Sequence, residues 1–282
     1  MFFFLFWFIY FIGDYMNYKI GDLVTRISHK HDILFRIVDI NPDVVFLKGV
    51  DVRLYADAPV KDLMKSSVTS SSDLDIIKEN VSKMRLDRST YFYIPGSVLH
   101  IDGDNEYLDR CMNFYKEMNI KANGICLNEI DMPSKIGSLL EEYNPDIVVV
   151  TGHDAFYSRR ENEYQNTDNF ILCVKEARKY EKSQDKLIII AGACQSNYEA
   201  LIKAGANFAS SPKRINIHAL DPAIVASSLA LSDKNKSIDL IEILEKTKYG
   251  SEGIGGIITN GTMYVGYPRW WLIKLKILFW IT

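Results

Sequence analysis

The sequence has little that could tie the chain together through covalent links or metal. Its 282 residues include four cysteines, Cys111, Cys126, Cys173 and Cys194, none in C-x-x-C spacing and none near a histidine pair. A disulfide framework and a structural zinc site are therefore not expected, and no metal or cofactor is called for. Three of the cysteines fall at apolar positions of predicted helices or strands and read as reduced core residues, whereas Cys194 lies in a turn. There is no polybasic run either: 24% of residues are charged and the formal net charge is −3, which points away from nucleic acid and toward proteins or small molecules as partners. Long apolar runs are also missing. The apolar run Met1–Ile12 has 12 residues, short of the roughly 17–25 that span a bilayer, and it lacks the positive start and small-residue cleavage site of a secretory signal. The apolar tail from Trp270 to Thr282 is interrupted by Lys274 and Lys276, so no stable membrane span is expected.

What is present centres on residues 145–198. Two apolar runs, Ile147-Val148-Val149-Val150 and Leu187-Ile188-Ile189-Ile190, each end in a turn of small residues carrying one reactive side chain. The first turn is Thr151-Gly152-His153-Asp154; the second is Ala191-Gly192-Ala193-Cys194-Gln195-Ser196. Between them, residues 167–181 have the apolar spacing of an amphipathic helix. Strand, crossover helix and strand make a parallel pair, which puts both turns at the carboxyl edge of one sheet, where α/β proteins hold ligands and catalytic groups. His153 and Cys194, 41 positions apart, would then face each other as an imidazole and a thiol. A neighbouring imidazole or a helix N-terminus turns a thiol into an efficient nucleophile, and a short helix is predicted from Asn197 to Ala204. A buried core cysteine and a structural histidine are the plainer readings of each residue alone.

Before this unit, residues 17–57 alternate in short β-rich runs and suggest a small SH3-like barrel. A polar, serine-rich stretch with a helix from Asp73 to Arg85 follows and reads as a linker. The pattern then becomes β-α-β-α: a strand at Ser97–Ile101 ending in Asp102-Gly103-Asp104, an amphipathic helix, a strand near Gly124–Ile130, and a helix from Ser134 to Tyr143 capped by Ser134. A short fifth strand at Asn207–Ser211 and a helix capped by Asp221 continue it, and Gly253–Pro268 has the glycine punctuation of a hairpin. The expected class is α/β, a parallel sheet with helices on both faces of caspase-like or flavodoxin-like type.

Val-Thr-Gly-His-Asp at 150–154 and Ala-Gly-Ala-Cys-Gln-Ser at 191–196 resemble the His- and Cys-bearing strand ends of caspase-like (clan CD) cysteine peptidases. More closely, the span from about Asn17 to Arg269 resembles the sporulation-specific YabG peptidase family of endospore-forming bacteria. That likeness is carried by residues 19–26 (KIGDLVTR), 99–104 (LHIDGD) and 256–261 (GIITNG). The resemblance implies a cysteine endopeptidase with Cys194 as nucleophile, His153 as its partner, and the amides of Gly152 and Cys194 as oxyanion hole. It further implies maturation of spore-coat and related spore proteins in the mother-cell cytoplasm. Asp154, Asp102 and Asp104 are candidate substrate-binding carboxylates that would favour cleavage after Arg or Lys. The domains expected are an apolar extension over 1–16 upstream of a start at Met16, the barrel over 17–57, the linker over 58–90, the peptidase domain over 91–269 and an aberrant tail over 270–282. Two other readings stay open. Asp102, Asp104 and Asp154 at strand ends, with Lys213, also suit a receiver-like phospho-signalling domain, and a non-catalytic coat scaffold would leave Cys194 and His153 as core residues.

Overall fold

The computed structural model describes residues 18–67, 91–157 and 163–267. The expected extension over 1–16, the helix at 73–85 and the tail over 270–282 lie outside the described residues. The chain divides into two compact units, one within residues 1–72 and one within 73–282.

The first unit is a five-stranded antiparallel sheet of β1 (Leu23–Arg26), β2 (Phe35–Ile40), β3 (Val45–Gly49), β4 (Tyr55–Ala58) and β5 (Leu63–Lys65), in the order β4-β3-β2-β1-β5. Period-two alternation builds its core, because successive side chains of a strand point to opposite faces: Val24, Phe35, Ile37, Val45, Leu47 and Leu63 are buried together. This sheet is what the structure holds of the anticipated barrel. Its last strand falls in the stretch read as linker, where Thr25 pairs with Met64. Only Leu63 of that strand is buried while Met64 and Lys65 face solvent, so it carries too little apolar pattern to stand out.

The second unit is built on β7 (Val98–Asp102), β8 (Ala122–Cys126), β9 (Ile147–Thr151), β12 (Ile188–Ala191), β13 (Phe208–Ser210) and β14 (Ile254–Gly256). They form one sheet in the order β14-β13-β12-β9-β7-β8, all parallel except β14, which pairs antiparallel with β13. Read in chain order, the parallel strands run 2-1-3-4-5, the flavodoxin-like doubly wound arrangement. Its topological switch point lies between β7 and β9. The remaining strands are β6 (Phe92–Ile94), paired with β15 (Tyr264–Gly266), and the small hairpin β10 (Phe156–Tyr157) with β11 (Glu163–Tyr164).

Helices α1 (Asn105–Glu117), α2 (Met132–Tyr143), α3 (Thr167–Tyr180), α4 (Tyr198–Ala204), α5 (Asp221–Ala230) and α6 (Leu240–Glu245) cover the sheet. Alternate strand residues feed two cores. Val98, Ile147, Val149, Ile188 and Ile190 meet α1, α5 and α6, whereas Leu99, Ile101, Val148, Val150 and Ile189 meet α2, α3 and α4. A strand buried on both faces needs an unbroken apolar run, and that is why 147–150 and 187–190 read so clearly. Each such Val or Ile contributes on the order of 1.5–3 kcal/mol by burial.

Three local expectations change. Helix α2 starts at Met132, and Ser134 Oγ donates to the Asp131 carbonyl at 2.8 Å inside its first turn instead of capping it. Asp221 is the first residue of α5, not its cap, and its carboxylate accepts the amides of His218 (3.1 Å) and Lys248 (3.0 Å). Residues 253–267 do not form a hairpin: β14 joins the main sheet, where Ile254 is buried, and β15 pairs with β6.

Arg178, at the end of α3, ties distant loops together. Its guanidinium donates to the carbonyls of Gly205 (2.8 Å), Leu187 (2.8 Å), Glu181 and Ser183 (3.3 Å each), and to Asn207 Oδ1 (2.6 Å). Burial lowers its pKa to about 10, still charged at neutral pH. Replacing it with Met should destabilise the protein by at least about 2 kcal/mol, because buried carbonyls lose a charged donor; an unchanged urea midpoint would show that solvent replaces those bonds.

Candidate active site

The chain leaves β9 at Thr151 and enters Gly152-His153 beside the switch point. The loop after β8 returns over the same strand ends, carrying Glu129. Glu129 Oε1 accepts the backbone N–H of His153 at 2.7 Å and lies 3.7 Å from the ring nitrogen Nδ1. The other ring nitrogen, Nε2, is 3.8 Å from Asp104 Oδ2, and the Tyr107 ring centroid is 6.0 Å from the imidazole. His153 keeps 20% of its side chain exposed. Gly103 and Gly152 are necessary to this arrangement, since a Cβ on either would collide with Glu129 Oε1.

Asp102 and Asp104 frame the other side of the switch point. Asp102 is fully buried; its Oδ1 accepts the Asp104 amide at 2.9 Å and its Oδ2 lies 3.6 Å from His100 Nε2. Asp104 caps α1, Oδ1 accepting from Glu106 N (2.9 Å) and Tyr107 N (3.3 Å). Burial alone would raise the Glu129 carboxyl, but the His153 imidazole beside it and the His153 backbone N–H outweigh that and hold it below the usual carboxylate range. Partial burial, then the charges of Asp102, Asp104 and Glu129, push the nearby Cys126 thiol up, which keeps it protonated and unreactive.

Asp154 turns inward. It is 5% exposed, and its Oδ1 accepts the amides of Ala155 (2.9 Å) and Asn166 (2.8 Å) while its Oδ2 accepts the hydroxyls of Thr167 and Ser196, the latter at 2.7 Å. Ser196 belongs to the turn after β12, and its Oγ also accepts the amide of Ala193 at 3.0 Å. One buried carboxylate thus joins the His153 loop, the first turn of α3 and the Cys194 loop.

In the second loop Gly192 (φ 101°) makes the left-handed turn that a glycine adopts freely, and Gln195 (φ 59°) occupies the same region, which non-glycine residues avoid. Cys194 between them is 0% exposed. Its sulfur accepts the backbone N–H of Ile217 at 3.3 Å, so an amide does reach the sulfur, while the Ala200 amide in the first turn of α4 is taken by Asn197 Oδ1 at 3.2 Å. The segment 211–217 lies over this loop, held by Gln195 N to the Ile215 carbonyl (3.2 Å) and by Gln195 Nε2 to Asn216 Oδ1 (3.2 Å). Arg214, at φ 53°, stacks over the Phe156 ring at 4.8 Å. Among the described residues, no group of three or more His, Cys, Asp or Glu side chains is placed to hold a metal ion.

Glu129, Thr167, Ser196 and Ile217 were not flagged by the sequence. For Glu129 the available signal was indirect, two glycines at the ends of two strands; the others are ordinary residues whose partners lie on distant loops.

A doubly covered parallel sheet whose switch point gathers an imidazole and two carboxylates, with a thiol loop on the next strand, has the layout of an α/β enzyme. The comparisons narrow that class. The YabG peptidase U57 family matches residues 19–268. The chain is 37% identical over 286 residues to a Bacillus subtilis (strain 168) protein described as sporulation-specific protease YabG, an alignment covering 90% of this chain and 99% of that one. The chain belongs to the YabG peptidase family. No solved structure matches it significantly.

Burial raises the Asp154 carboxyl above its ordinary value of 3.8, against the opposing pull of its donors. The native state therefore keeps this proton to higher pH than the unfolded chain, and stability falls as pH rises from about 4 through the native pKa. Asp154→Asn should remove that part of the slope, measured as urea midpoints across the range; parallel profiles for the two proteins would contradict it.

Proposed function

We propose that this protein is a cysteine endopeptidase of sporulation, with Cys194 and His153 as its dyad. The observation that carries the reading is the pair of adjacent parallel strands, β9 and β12, whose carboxyl ends present His153 and Cys194 on loops joined by the Asp154–Ser196 hydrogen bond, in a chain belonging to a peptidase family.

The chemistry follows from those groups. The Cys194 thiolate attacks the scissile carbonyl carbon, forming a C–S bond and an oxyanion received by the amides of Gly152 and Cys194. The C–N bond breaks as the His153 imidazolium gives its proton to the leaving amine, leaving a thioester. Water then adds to the thioester, His153 takes its proton, and the C–S bond breaks to return the thiolate. Asp104 and Glu129, the carboxylates beside His153, supply the negative field that favours a basic residue before the cleaved bond. Spore-coat and related spore proteins in the mother cell are the substrates that fit this family.

The buried sulfur adds a requirement: the 211–217 segment must move off Cys194 before a polypeptide reaches it. The contacts Gln195–Asn216 and Arg214–Phe156 hold that segment down, and Ser211, Arg214 and Gln195 all have positive φ, strain that segment opening would relieve. The receiver-like alternative has no comparable support, because Asp154, its phosphate acceptor, is buried and already accepts four hydrogen bonds.

Purified protein should cleave a lysine- and arginine-rich spore-coat protein, and Cys194→Ala and His153→Ala should each lower the rate by at least about 10³-fold. Cleavage that persists in Cys194→Ala would remove this thiol as the nucleophile. Asn216→Ala should speed labelling of Cys194 by iodoacetamide several-fold, followed by peptide mass; an unchanged rate would mean the segment does not limit access.

A further inference from the structure

We propose that Glu129 is the positioning residue for His153, holding its main chain and its ring with one carboxylate. This rests on the reading of His153 as the catalytic imidazole and adds a third member to the dyad.

The geometry is specific. Glu129 Oε1 takes the His153 N–H at 2.7 Å, and the same oxygen stands 3.7 Å from Nδ1 of that residue. A ring whose backbone and Nδ1 both face one carboxylate is confined in rotation: an Nδ1–H directed at Glu129 leaves Nε2, which stands 3.8 Å from Asp104 Oδ2, to exchange the proton with thiol and amine. The 3.7 Å separation is longer than a hydrogen bond, and such contacts tighten when substrate is bound.

Alternative explanations for Glu129 fail on the structure. It does not cap a helix, because the residue preceding α2 is Asp131. It occupies a space that exists only because Gly103 and Gly152, on two different strand ends, have no side chain. Asp104, the other carboxylate beside the ring, is accounted for by the first-turn amides of α1 that it caps. Asp154, next to His153 in the chain, points away into Thr167 and Ser196. Tyr107 closes the remaining side of the imidazole at 6.0 Å.

The test compares the parent with Glu129→Gln, Glu129→Ala, Cys194→Ala and His153→Ala on one peptide substrate, and records ring ¹⁵N spectra of histidine-labelled protein, with His153→Ala assigning the signal. Glu129→Gln keeps an oxygen for the His153 amide but loses the charge. We expect kcat to fall about 10- to 100-fold with KM nearly constant, the size of effect that misplacing a catalytic group produces. Formate should restore part of the rate of Glu129→Ala, and the His153 signal should move from the Nδ1–H toward the Nε2–H tautomer in Glu129→Gln. Parent-like kcat in Glu129→Gln while Cys194→Ala and His153→Ala are dead would overturn the role of Glu129 alone. A loss confined to KM or to the urea midpoint would reduce it to a structural residue. Full activity in His153→Ala would overturn the dyad instead, and the ring spectra would still decide whether Glu129 holds the tautomer, unchanged signals counting against it.

Discussion

The second unit depends most on the hydrogen bonds made by one buried carboxylate. Asp154 receives a hydroxyl from the Cys194 loop and another from the start of α3, along with two amides of its own loop. Parallel strands align β9 and β12, but strand pairing stops at Ala191 opposite Val150, and beyond that point nothing in the ladder sets how the two loops face each other. Asp154 does so. Removing a partner from such a buried network leaves unsatisfied groups, and the cost of that exceeds the worth of the bond itself.

Around this fixed point the carboxyl edge divides by charge. On the β7 and β9 side, Asp104 and Glu129 bracket His153, and partial burial followed by the charges of these carboxylates keeps the nearby Cys126 thiol protonated. On the β12 side, Cys194 lies in a small-residue turn supported by amides, with the Ile217 N–H on its sulfur. The flavodoxin-like strand order produces this division, since the switch point opens between β7 and β9 while β12 lies one strand further on.

Much of the fold was legible from residue pattern. The runs at 147–150 and 187–190 are buried on both faces, and their flanking helices begin and end within a few residues of where their apolar spacing puts them. The short helix expected from Asn197 to Ala204 is α4, which begins one residue later because Asn197 caps it. The errors fell where local pattern is weak: β5 has one buried residue in three, β14 is mostly glycine, and Ser134 and Asp221 satisfy cap preferences while sitting inside the first turn. His153 and Cys194 stood out because each follows a strand in a turn of small residues; Glu129 did not, because its loop has no pattern that separates a functional carboxylate from a solvated one.

By itself, then, the sequence determined the alternation of strands and helices, the doubly buried sheet, and the loops bearing His153 and Cys194, because burial at period two or 3.6 is written residue by residue along the chain. The tertiary structure alone decided that Asp154 faces inward, that Glu129 lies against His153, and that Ile217 covers Cys194. Those contacts, Asp154 with Ser196, Glu129 with His153 and Ile217 with Cys194, join residues 42, 24 and 23 positions apart. They depend on how loops from different strands meet at one edge, which no local preference specifies.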